Sequence, residues 1–319
     1  MNPLVSAVIP THNRPQLVQR AVRSACNQTH TNMEVIVVVD GPDADTVNSL
    51  EELHEPRLRV IELEENVRGG EARNIGIRAA HGEYIALLDD DDEWLPEKIE
   101  KQLAALLRQS SADCLVSCRH YIKLPDSSCA VAPLRDLFEG EAPSEYLFYR
   151  HGFRRSLATP VTPSFFAAKS LFTATPFSKG LICHQDWDWF LRVMIHRKVK
   201  FVLVDEPLVL VDWSHDLPHP SRGAKWSDSL AWLESNSALF TPKAYSAFIL
   251  NQCMTRCSRI QNTTATFLLL MRKCRAFGYL DAYQIVLSIK WYCLSPFSSR
   301  SRAFVKGLCA RCLAPFKKR

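Results

Sequence analysis

Short apolar runs alternate with amphipathic segments through the first third of the chain. The apolar runs, which have the composition of buried strands, are Leu4 to Ile9, Glu34 to Val39, Leu58 to Leu63 and Gly82 to Leu88. The segments that repeat apolar residues at helical spacing are Leu17 to Cys26, Val47 to Leu53, Ala72 to Ala80 and the stretch that Pro96 opens. This alternation, from residue 4 to residue 108, predicts an α/β fold with a doubly wound, mostly parallel sheet flanked by helices.

The pattern is less regular in the rest of the chain. Residues 125–160 show no clear period and predict loops, as do Asn66 to Gly70 nearer the N-terminus. Further strands are expected at residues 113–121, 163–168, 200–204 and 208–211, and a helix is expected from residue 183 onward. Beyond Pro218 the chain is helical in character. We therefore expect an α/β domain over residues 1–217 and a helical C-terminal extension over residues 218–319.

Positive charge is concentrated near the C-terminus. The 319 residues have a net charge of +5, whereas Cys253 to Arg319 alone contain thirteen Lys or Arg residues and one acid, Asp281. Basic helices that carry aromatic residues, here Trp291 and Phe304 among others, are attracted to anionic lipid headgroups. The alternative is an ordinary solvated helical cap whose apolar side packs on the domain. No nucleic-acid partner is expected, because the region contains no recognised nucleic-acid-binding module.

Cysteine usage and hydropathy bear on the compartment. Eleven cysteines are scattered along the chain, and Cys309 and Cys312 form a CxxC with no second pair to complete a zinc site. This usage is typical of a reducing cytosol. Met1 to Ile9 lack the features of a signal peptide, and no stretch reaches the roughly 18 apolar residues of a membrane span. We expect a cytoplasmic protein that lies peripherally on the inner face of the cytoplasmic membrane.

The acidic turn, Asp89 to Asp92, is the clearest candidate for chemistry, because a strand with a buried composition ends directly in four carboxylates. Unpaired charges cannot stay in a core, so the turn should reach a wet edge. Carboxylates about 6 Å apart repel by roughly 2 to 3 kcal/mol, and an oxygen-seeking divalent cation would offset that repulsion. The alternative is a solvated acidic turn. Asp40 also follows a predicted strand and should lie on the same rim as Asp89.

Five segments carry recognisable motifs. They are Val5-Ser6-Ala7-Val8-Ile9-Pro10-Thr11-His12-Asn13-Arg14-Pro15, Val38-Val39-Asp40-Gly41, Gly70-Glu71-Ala72-Arg73-Asn74-Ile75-Gly76, Gly82-Glu83-Tyr84-Ile85-Ala86-Leu87-Leu88-Asp89-Asp90-Asp91-Asp92 and Gln185-Asp186-Trp187-Asp188. In this order and spacing, over about residues 4–215, they resemble the family 2 glycosyltransferases of GT-A fold. The resemblance implies inverting transfer of a sugar from a nucleotide-diphosphate donor, usually a UDP-sugar, to an acceptor hydroxyl. Relatives commonly build surface polysaccharides or glycolipids, so the acceptor would be a saccharide or a lipid-linked molecule.

The resemblance also assigns eight residues to the donor nucleotide: Pro10, Thr11, His12, Asp40, Arg68, Arg73, Asp89 and Asp90. The first three would line the base pocket, with His12 stacked on the base, and Asp40 would accept a hydrogen bond from the base ring. The two aspartates of the acidic turn would orient the ribose. The two arginines would lie near the donor or pair with the carboxylates.

A metal and a general base complete the expected site. Asp91, the last member of the Asp-x-Asp, would ligate Mg²⁺ or Mn²⁺ at the diphosphate, where a metal stabilises the charge that develops on the leaving group. His215 stands where some relatives have an additional metal ligand, although a lone histidine beside Trp213 is more often structural. Asp186 matches the Asp of the family's Glu-Asp pair and would take the proton of the acceptor.

Two positions depart from the family pattern. Gln185 stands where the family has the Glu of its Glu-Asp pair, which removes a charge next to the expected base. The family's frequent Asp-Asp-Gly-Ser is Val39-Asp40-Gly41-Pro42 here, so one of two acids is present.

Three other functions are weighed against this one. A sugar nucleotidyltransferase would need a Gly-rich basic loop after the first strand, and His12-Asn13-Arg14-Pro15 contains no glycine. A glycoside hydrolase could use two carboxylates such as Asp91 and Asp186 but would not need an acidic cluster suited to a metal. A catalytically degenerate sugar-nucleotide-binding protein would bind a donor without turnover, and Gln185 keeps this alternative open.

Overall fold

The structure is a computed structural model that describes residues 2–109, 113–124, 128–149, 159–213, 223–259 and 264–277, together with residues 279, 280, 284 and 286. The strands are β1 (Val5–Thr11), β2 (Met33–Val39), β3 (Leu58–Glu62), β4 (Tyr84–Leu87), β5 (Glu93–Trp94), β6 (Cys114–Lys123), β7 (Cys129–Ala132), β8 (Phe166–Ala168) and β9 (Lys200–Asp212). The helices are α1 (Pro15–Cys26), α2 (Ala44–Glu51), α3 (Arg68–Ala79), α4 (Lys98–Leu107), α5 (Pro143–Phe148), α6 (Lys169–Ala174), α7 (Gln185–Arg192), α8 (Trp226–Ser235), α9 (Pro242–Phe248), α10 (Met254–Arg259) and α11 (Thr264–Phe277).

The described strands form one sheet in the order β3-β2-β1-β4-β8-β6-β9-β5, and β7 pairs with β6. The four N-terminal strands β1 to β4 are mutually parallel, and β6 is parallel to β9 along ten registered pairs. The antiparallel pairings, which involve β5, β7 and β8, each have fewer registered residue pairs than the parallel pairing of β6 with β9. The predicted doubly wound, mostly parallel sheet is thereby confirmed.

The core explains why these runs are strands. Every residue of β1 and of β4 is buried, as a parallel strand covered on both faces requires. Helix α1 begins at Pro15, whose fixed φ suits a first helical position, and its buried residues Val18 and Val22 join the same core as Val37 of β2. Apolar burial of this kind stabilises the fold by roughly 25 cal/mol per Å² removed from water.

The sheet order also sets where the site lies. Strand β1 is hydrogen-bonded to β2 on one side and to β4 on the other, all running in the same direction. Their carboxyl ends therefore meet at one edge of the sheet. Thr11 at the end of β1, Asp40 after β2 and the acidic turn after β4 all belong to this rim, as predicted for Asp40 and Asp89.

Several predicted boundaries need correction. Residues 200–211 form one strand rather than two, because the break around Asp205 and Glu206 is absorbed as an irregularity opposite β6 between Cys118 and Arg119. Helix α3 begins inside the predicted loop, at Arg68. The predicted loop region 125–160 contains β7 and α5, which are too short to show a period. The predicted strand at 163–168 is a 3₁₀ turn followed by β8.

The chain divides into two compact units, one of residues 1–143 and 156–222, the other of residues 144–155 and 223–319. Rings pack face to edge in the second unit: Phe148 lies 5.0 Å from Phe248, and Trp232 lies 5.7 Å from Phe240, between ring centroids. The predicted apolar face of α8 is buried at Leu230 and Leu233. The assignment of residues 1–217 and 218–319 to two functional domains stays a prediction, and the basic stretch from Ser288 onward lies outside the described residues.

One close contact between α3 and the sheet generates a stability prediction. A Cβ added at Gly76 would lie 2.5 Å from Val8 Cγ1 and 3.1 Å from Val38 Cγ2. Helix propensity favours alanine over glycine by about 1 kcal/mol, but overpacking costs about 1–3 kcal/mol. We expect Gly76→Ala to lower the free energy of unfolding by about 1–2 kcal/mol in urea titrations. The reason is that the new Cβ would lie closer to Val8 Cγ1 than Cβ atoms lie to other atoms in real proteins.

The matched control is the same substitution in a Val8→Ala background. Val8 is fully buried, so Val8→Ala destabilises on its own, but it also removes the atom that the new methyl group meets. The decrease in unfolding free energy of the double variant should therefore be smaller, by at least about 1 kcal/mol, than the sum of the decreases in the two single variants. Additive losses would contradict the contact as the cause.

Candidate active site

The loop after β1 contacts the acidic turn directly. Thr11, the last residue of β1, donates its hydroxyl to Asp90 Oδ2 at 2.8 Å. Arg14, which precedes α1, donates from Nη1 to Asp90 Oδ1 at 2.7 Å and to Asp91 Oδ2 at 3.3 Å. One guanidinium group thus contacts two consecutive carboxylates, the first of which lies 76 residues further along the chain.

Most of the acidic turn is withdrawn from solvent. Asp90, Asp91 and Asp92 are 6%, 7% and 4% exposed. Burial raises the pKa of Asp90 to about 6, against the opposing charge of Arg14. Burial and the charges of Asp91 and Asp89 hold the pKa of Asp92 well above its usual range. The turn therefore does not carry four full negative charges at every pH, which relieves part of the repulsion between its members.

A second arginine fixes the backbone of the acidic turn. Arg20 of α1 donates from Nη2 to the Asp91 carbonyl oxygen at 2.7 Å, and its Nε lies 3.1 Å from Glu93 Oε1. Asp212, the last residue of β9, donates its backbone N–H to Asp92 Oδ1 at 3.1 Å. The turn is therefore held from α1 on one side and from the end of β9 on the other.

A third arginine connects the acidic turn to α7. Arg73 of α3 donates from Nη2 to Asp89 Oδ1 and from Nη1 to Gln185 Oε1, the latter at 2.9 Å. The Arg73 side chain is 9% exposed, whereas that of Asp89 is 29% exposed. Asp89 is thus the carboxylate of the turn that is most accessible to a ligand.

Asp186 lies one residue into α7, next to this contact. The helix begins after His184, whose backbone adopts the left-handed region at φ 65°. Asp186 Oδ1 accepts the Trp187 N–H at 2.9 Å. Burial raises the pKa of Asp186 to about 6, and the charge of Asp89 acts in the same direction. A carboxyl group with this pKa is ionised at neutral pH and remains basic enough to accept a proton.

The remaining predicted donor residues line the β1 and β2 side of the rim. Asp40 is buried and accepts the Val67 N–H on Oδ1 at 2.7 Å, which fixes the entry into α3. His12 is exposed, with Nε2 3.0 Å from the side-chain amide of Asn13, while Pro10 is buried in β1. Arg68, at φ 70°, directs Nη1 to the Gly180 carbonyl oxygen at 2.8 Å instead of to a carboxylate.

The structure thus joins Thr11 to Asp90 directly and Asp90 to Asp91 through Arg14. Arg73 joins Asp89 to Gln185, the residue before Asp186. His215 lies outside the described residues. Sequence reasoning missed Arg14 and Arg20 as partners of the acidic turn. A signal was available for the first: Arg14 follows the end of β1, and parallel neighbours place that end beside a turn that needs counter-charge.

The side chains at the turn suit a hard divalent cation. Asp89 to Asp92 offer four carboxyl groups against two contacting guanidinium groups, Arg14 and Arg73. Carboxylate oxygen is the donor that Mg²⁺ and Mn²⁺ prefer, and Mg²⁺ sites of this class use one or two carboxylates plus substrate phosphates and water. Within the part of the chain that the structure describes, no three His, Cys, Asp or Glu side chains converge on one point as a ready cage for a metal.

Comparison with protein families identifies the sequence type. The sequence model described as "Glycosyl transferase family 2" matches residues 6–167, about half of the chain. The amylovoran biosynthesis glycosyltransferase AmsB of Erwinia amylovora is 29% identical over 254 residues, which cover 75% of this chain and 82% of the relative. The putative colanic acid biosynthesis glycosyl transferase WcaA of Escherichia coli is 32% identical over 196 residues, which cover 61% of this chain and 67% of the relative.

Solved structures show the same fold. Staphylococcus aureus TarS, residues 1–349 in complex with UDP-GlcNAc, superposes with a TM-score of 0.53 at 15% identity, covering 92% of this chain and 81% of that 1–349 chain. The mannosyltransferase PcManGT of Pyrobaculum calidifontis, in complex with GDP-Man and Mn²⁺, gives a TM-score of 0.54 at 15% identity, covering 99% of this chain and 82% of that one. Both neighbours have the GT-A fold, so the fold prediction is confirmed.

Proposed function

The chain belongs to glycosyl transferase family 2, and on that premise we propose that it is an inverting hexosyltransferase that uses a UDP-sugar and a divalent metal. The observation that carries the proposal is the Arg73 contact between Asp89 and Gln185, which holds the acidic turn next to Asp186. A donor-side carboxylate and a proton acceptor thereby share one rim. An acceptor hydroxyl can lie between Asp186 and the sugar while the diphosphate remains on the side of the acidic turn.

Eight residues are proposed to bind the donor nucleotide: Pro10, Thr11, His12, Asp40, Arg68, Arg73, Asp89 and Asp90. The exposed His12 ring at the end of β1 can stack on the base. Asp40 lies at the end of the neighbouring strand, where a carboxylate can accept from the base ring. Asp89, the most exposed carboxylate of the turn, can accept hydrogen bonds from the ribose hydroxyls.

Asp91 would hold Mg²⁺ or Mn²⁺ and His215 would add a ligand. When bound, the metal would stabilise negative charge on the departing diphosphate. The protein's own contribution is to fix Asp91 in advance: Arg14 contacts its side chain and Arg20 its carbonyl oxygen. A carboxylate that is already ordered loses little conformational entropy when a ligand arrives.

Asp186 would be the general base. Its carboxylate takes the proton from the acceptor hydroxyl as that oxygen attacks the anomeric carbon of the sugar. Attack on the face opposite the diphosphate inverts the configuration at that carbon. A positioned base of this kind contributes about 10²–10⁴ in rate.

The acceptor is proposed to be a saccharide or a lipid-linked molecule in surface polysaccharide or glycolipid synthesis. Support comes from the relatives AmsB and WcaA, which are named for amylovoran and colanic acid biosynthesis. The alternative, a catalytically degenerate sugar-nucleotide-binding protein, is favoured by one observation: the residue before Asp186 is an amide, Gln185. It differs from the enzyme in predicting donor binding without release of nucleoside diphosphate.

The first prediction concerns donor and metal. UDP-sugars with Mn²⁺ should raise the unfolding temperature of the chain more than UDP-sugars alone, because a ligand that binds the native state stabilises it by mass action. Asp91→Asn should remove the Mn²⁺-dependent part of that increase. Asp205→Asn, which neutralises an exposed carboxylate on β9, is the control and should respond as the unmodified chain does. An undiminished Mn²⁺ response in Asp91→Asn would argue against the metal role.

The second prediction concerns the base. Asp186→Asn should retain donor binding in the thermal-shift assay and lose transfer by about 10²–10⁴, measured as UDP released in the presence of saccharide acceptors. In the unmodified enzyme the ionised form of Asp186 is the active one, so kcat/KM should rise with pH through about 6 and level off above it. An Asp186→Asn variant that still transfers sugar would remove this residue as the base.

The third prediction concerns the membrane. The basic C-terminal region is proposed to bind an anionic membrane surface on the cytoplasmic side, and no helix among the described residues has the length and apolarity to span a bilayer. The full chain should co-sediment with vesicles containing phosphatidylglycerol and much less with neutral phosphatidylcholine vesicles. Removal of residues 288–319 should abolish the difference, and equal sedimentation of the shortened chain would contradict the proposal.

A further inference from the structure

Gln185, the first residue of α7, uses both ends of its side-chain amide. Oε1 accepts a hydrogen bond from Arg73 Nη1 at 2.9 Å, and Nε2 donates to the Leu181 carbonyl oxygen at 2.9 Å. A carboxylate could make the first contact but not the second, because it has no hydrogen to donate. A glutamate here would place a charged oxygen against the Leu181 carbonyl oxygen.

Gln185 lies beside the first turn of α3. A Cβ added at Gly70 would lie 3.7 Å from Gln185 Cδ and 3.1 Å from the Ser178 carbonyl oxygen. Arg73 contacts Asp89 and Gln185, and its guanidinium lies 5.7 Å from the Phe177 ring centroid. The amide is therefore part of the local packing, and it fixes the position of a charged neighbour.

Two charged groups that act on Asp186 come from other elements: Arg73 of α3 and Asp89 of the acidic turn. On the Asp186 side, the buried His184 ring precedes α7 and stacks on Trp187 at 4.8 Å between centroids. Asp188 on the same helix is engaged elsewhere, with Ser178 Oγ at 2.7 Å and Arg192 Nε at 2.9 Å. We propose that Gln185 is a positioning residue: its neutral amide holds Arg73 in contact with Asp89. Because the amide carries no charge, Asp186 is the one ionisable group among the first two residues of α7.

The charge at position 185 then sets the pH range in which Asp186 is ionised. A glutamate at this position would add a negative charge beside Asp186 and would compete with Asp89 for Arg73. Both changes disfavour the ionised form of Asp186 and raise its pKa. The neutral amide therefore keeps the base active at a lower pH than a Glu-Asp pair would in the same surroundings.

This inference rests on the proposed role of Asp186 as the base, but its test does not need turnover. The full-length chain is labelled with ¹³C at the aspartate carboxyl carbons, and the Asp186 signal is identified by its absence in Asp186→Asn. Its titration is followed by NMR in the unmodified chain, in Gln185→Glu and in the control Gln109→Glu. The control makes the same chemical change at an amide that also donates to a carbonyl oxygen four residues earlier, that of Ala105, at 2.9 Å.

The titration midpoint of the Asp186 carboxyl group should rise by about 1 pH unit in Gln185→Glu and stay unchanged in Gln109→Glu. The rising limb of the pH profile of kcat/KM should move by the same amount. A midpoint in Gln185→Glu equal to that of the unmodified chain overturns the inference. If Gln185→Glu does not fold, Gln185→Met carries the test: release of Arg73 should raise the midpoint by about half a unit, and no change overturns the inference.

The failure of the proposed function would look different. In that case no UDP-sugar would stabilise the unmodified chain or release UDP, whereas the titration would still report whether position 185 controls the ionisation of Asp186.

Discussion

Ion pairs from neighbouring helices and loops allow a buried strand to end in four consecutive carboxylates. Arg14 pairs with Asp90 and Asp91, Arg73 pairs with Asp89, and Arg20 holds the Asp91 carbonyl oxygen. Removing one member of a buried ion pair costs about 3–5 kcal/mol, since it leaves a charge without compensation. The acidic turn is therefore ordered by the protein before any ligand arrives. From the sequence, a metal ion and pairing with Arg68 or Arg73 were expected to offset this charge, whereas Arg14 pairs with two of the carboxylates and Arg68 with none in the structure.

The parallel sheet converts distant sequence segments into neighbours. Because β1 lies between β2 and β4 and runs parallel to both, the loops that follow these three strands lie at the same edge of the sheet. Asp186 comes from outside this group, on α7, and reaches the edge through the contact of Arg73 with Gln185. Under the proposed function, the two tasks of a transferase would be separated: the strand ends would carry the donor-side carboxylates, and the start of a helix would carry the proton acceptor.

Much of the fold could be predicted from the sequence, because strand and helix periods are local signals. Asp40 and Asp89 were expected on one rim from the alternation of strands and helices, and they follow neighbouring parallel strands there. Partners separated by 70 residues or more leave no local signal, so the contact of Arg20 with the acidic turn was not foreseen, and that of Arg14 could have been inferred only from its place after β1. The resemblance to a family drew attention to Gln185 as a missing charge, but only the side-chain geometry reveals that its amide group is used at both ends.

The hydrogen bond from the Asp212 N–H to Asp92 has a consequence for how the molecule folds. It joins residues 120 positions apart, and Asp212 reaches its place only when β9 has paired with β6. Contacts of such sequence separation form late, because the loop they close costs entropy before any pairing is gained. A nascent chain that ends within the family-matched segment 6–167 already contains the whole acidic turn, yet it lacks the strand that satisfies Asp92. The acidic turn therefore gains this last contact only after β9 has been synthesised and has paired with β6.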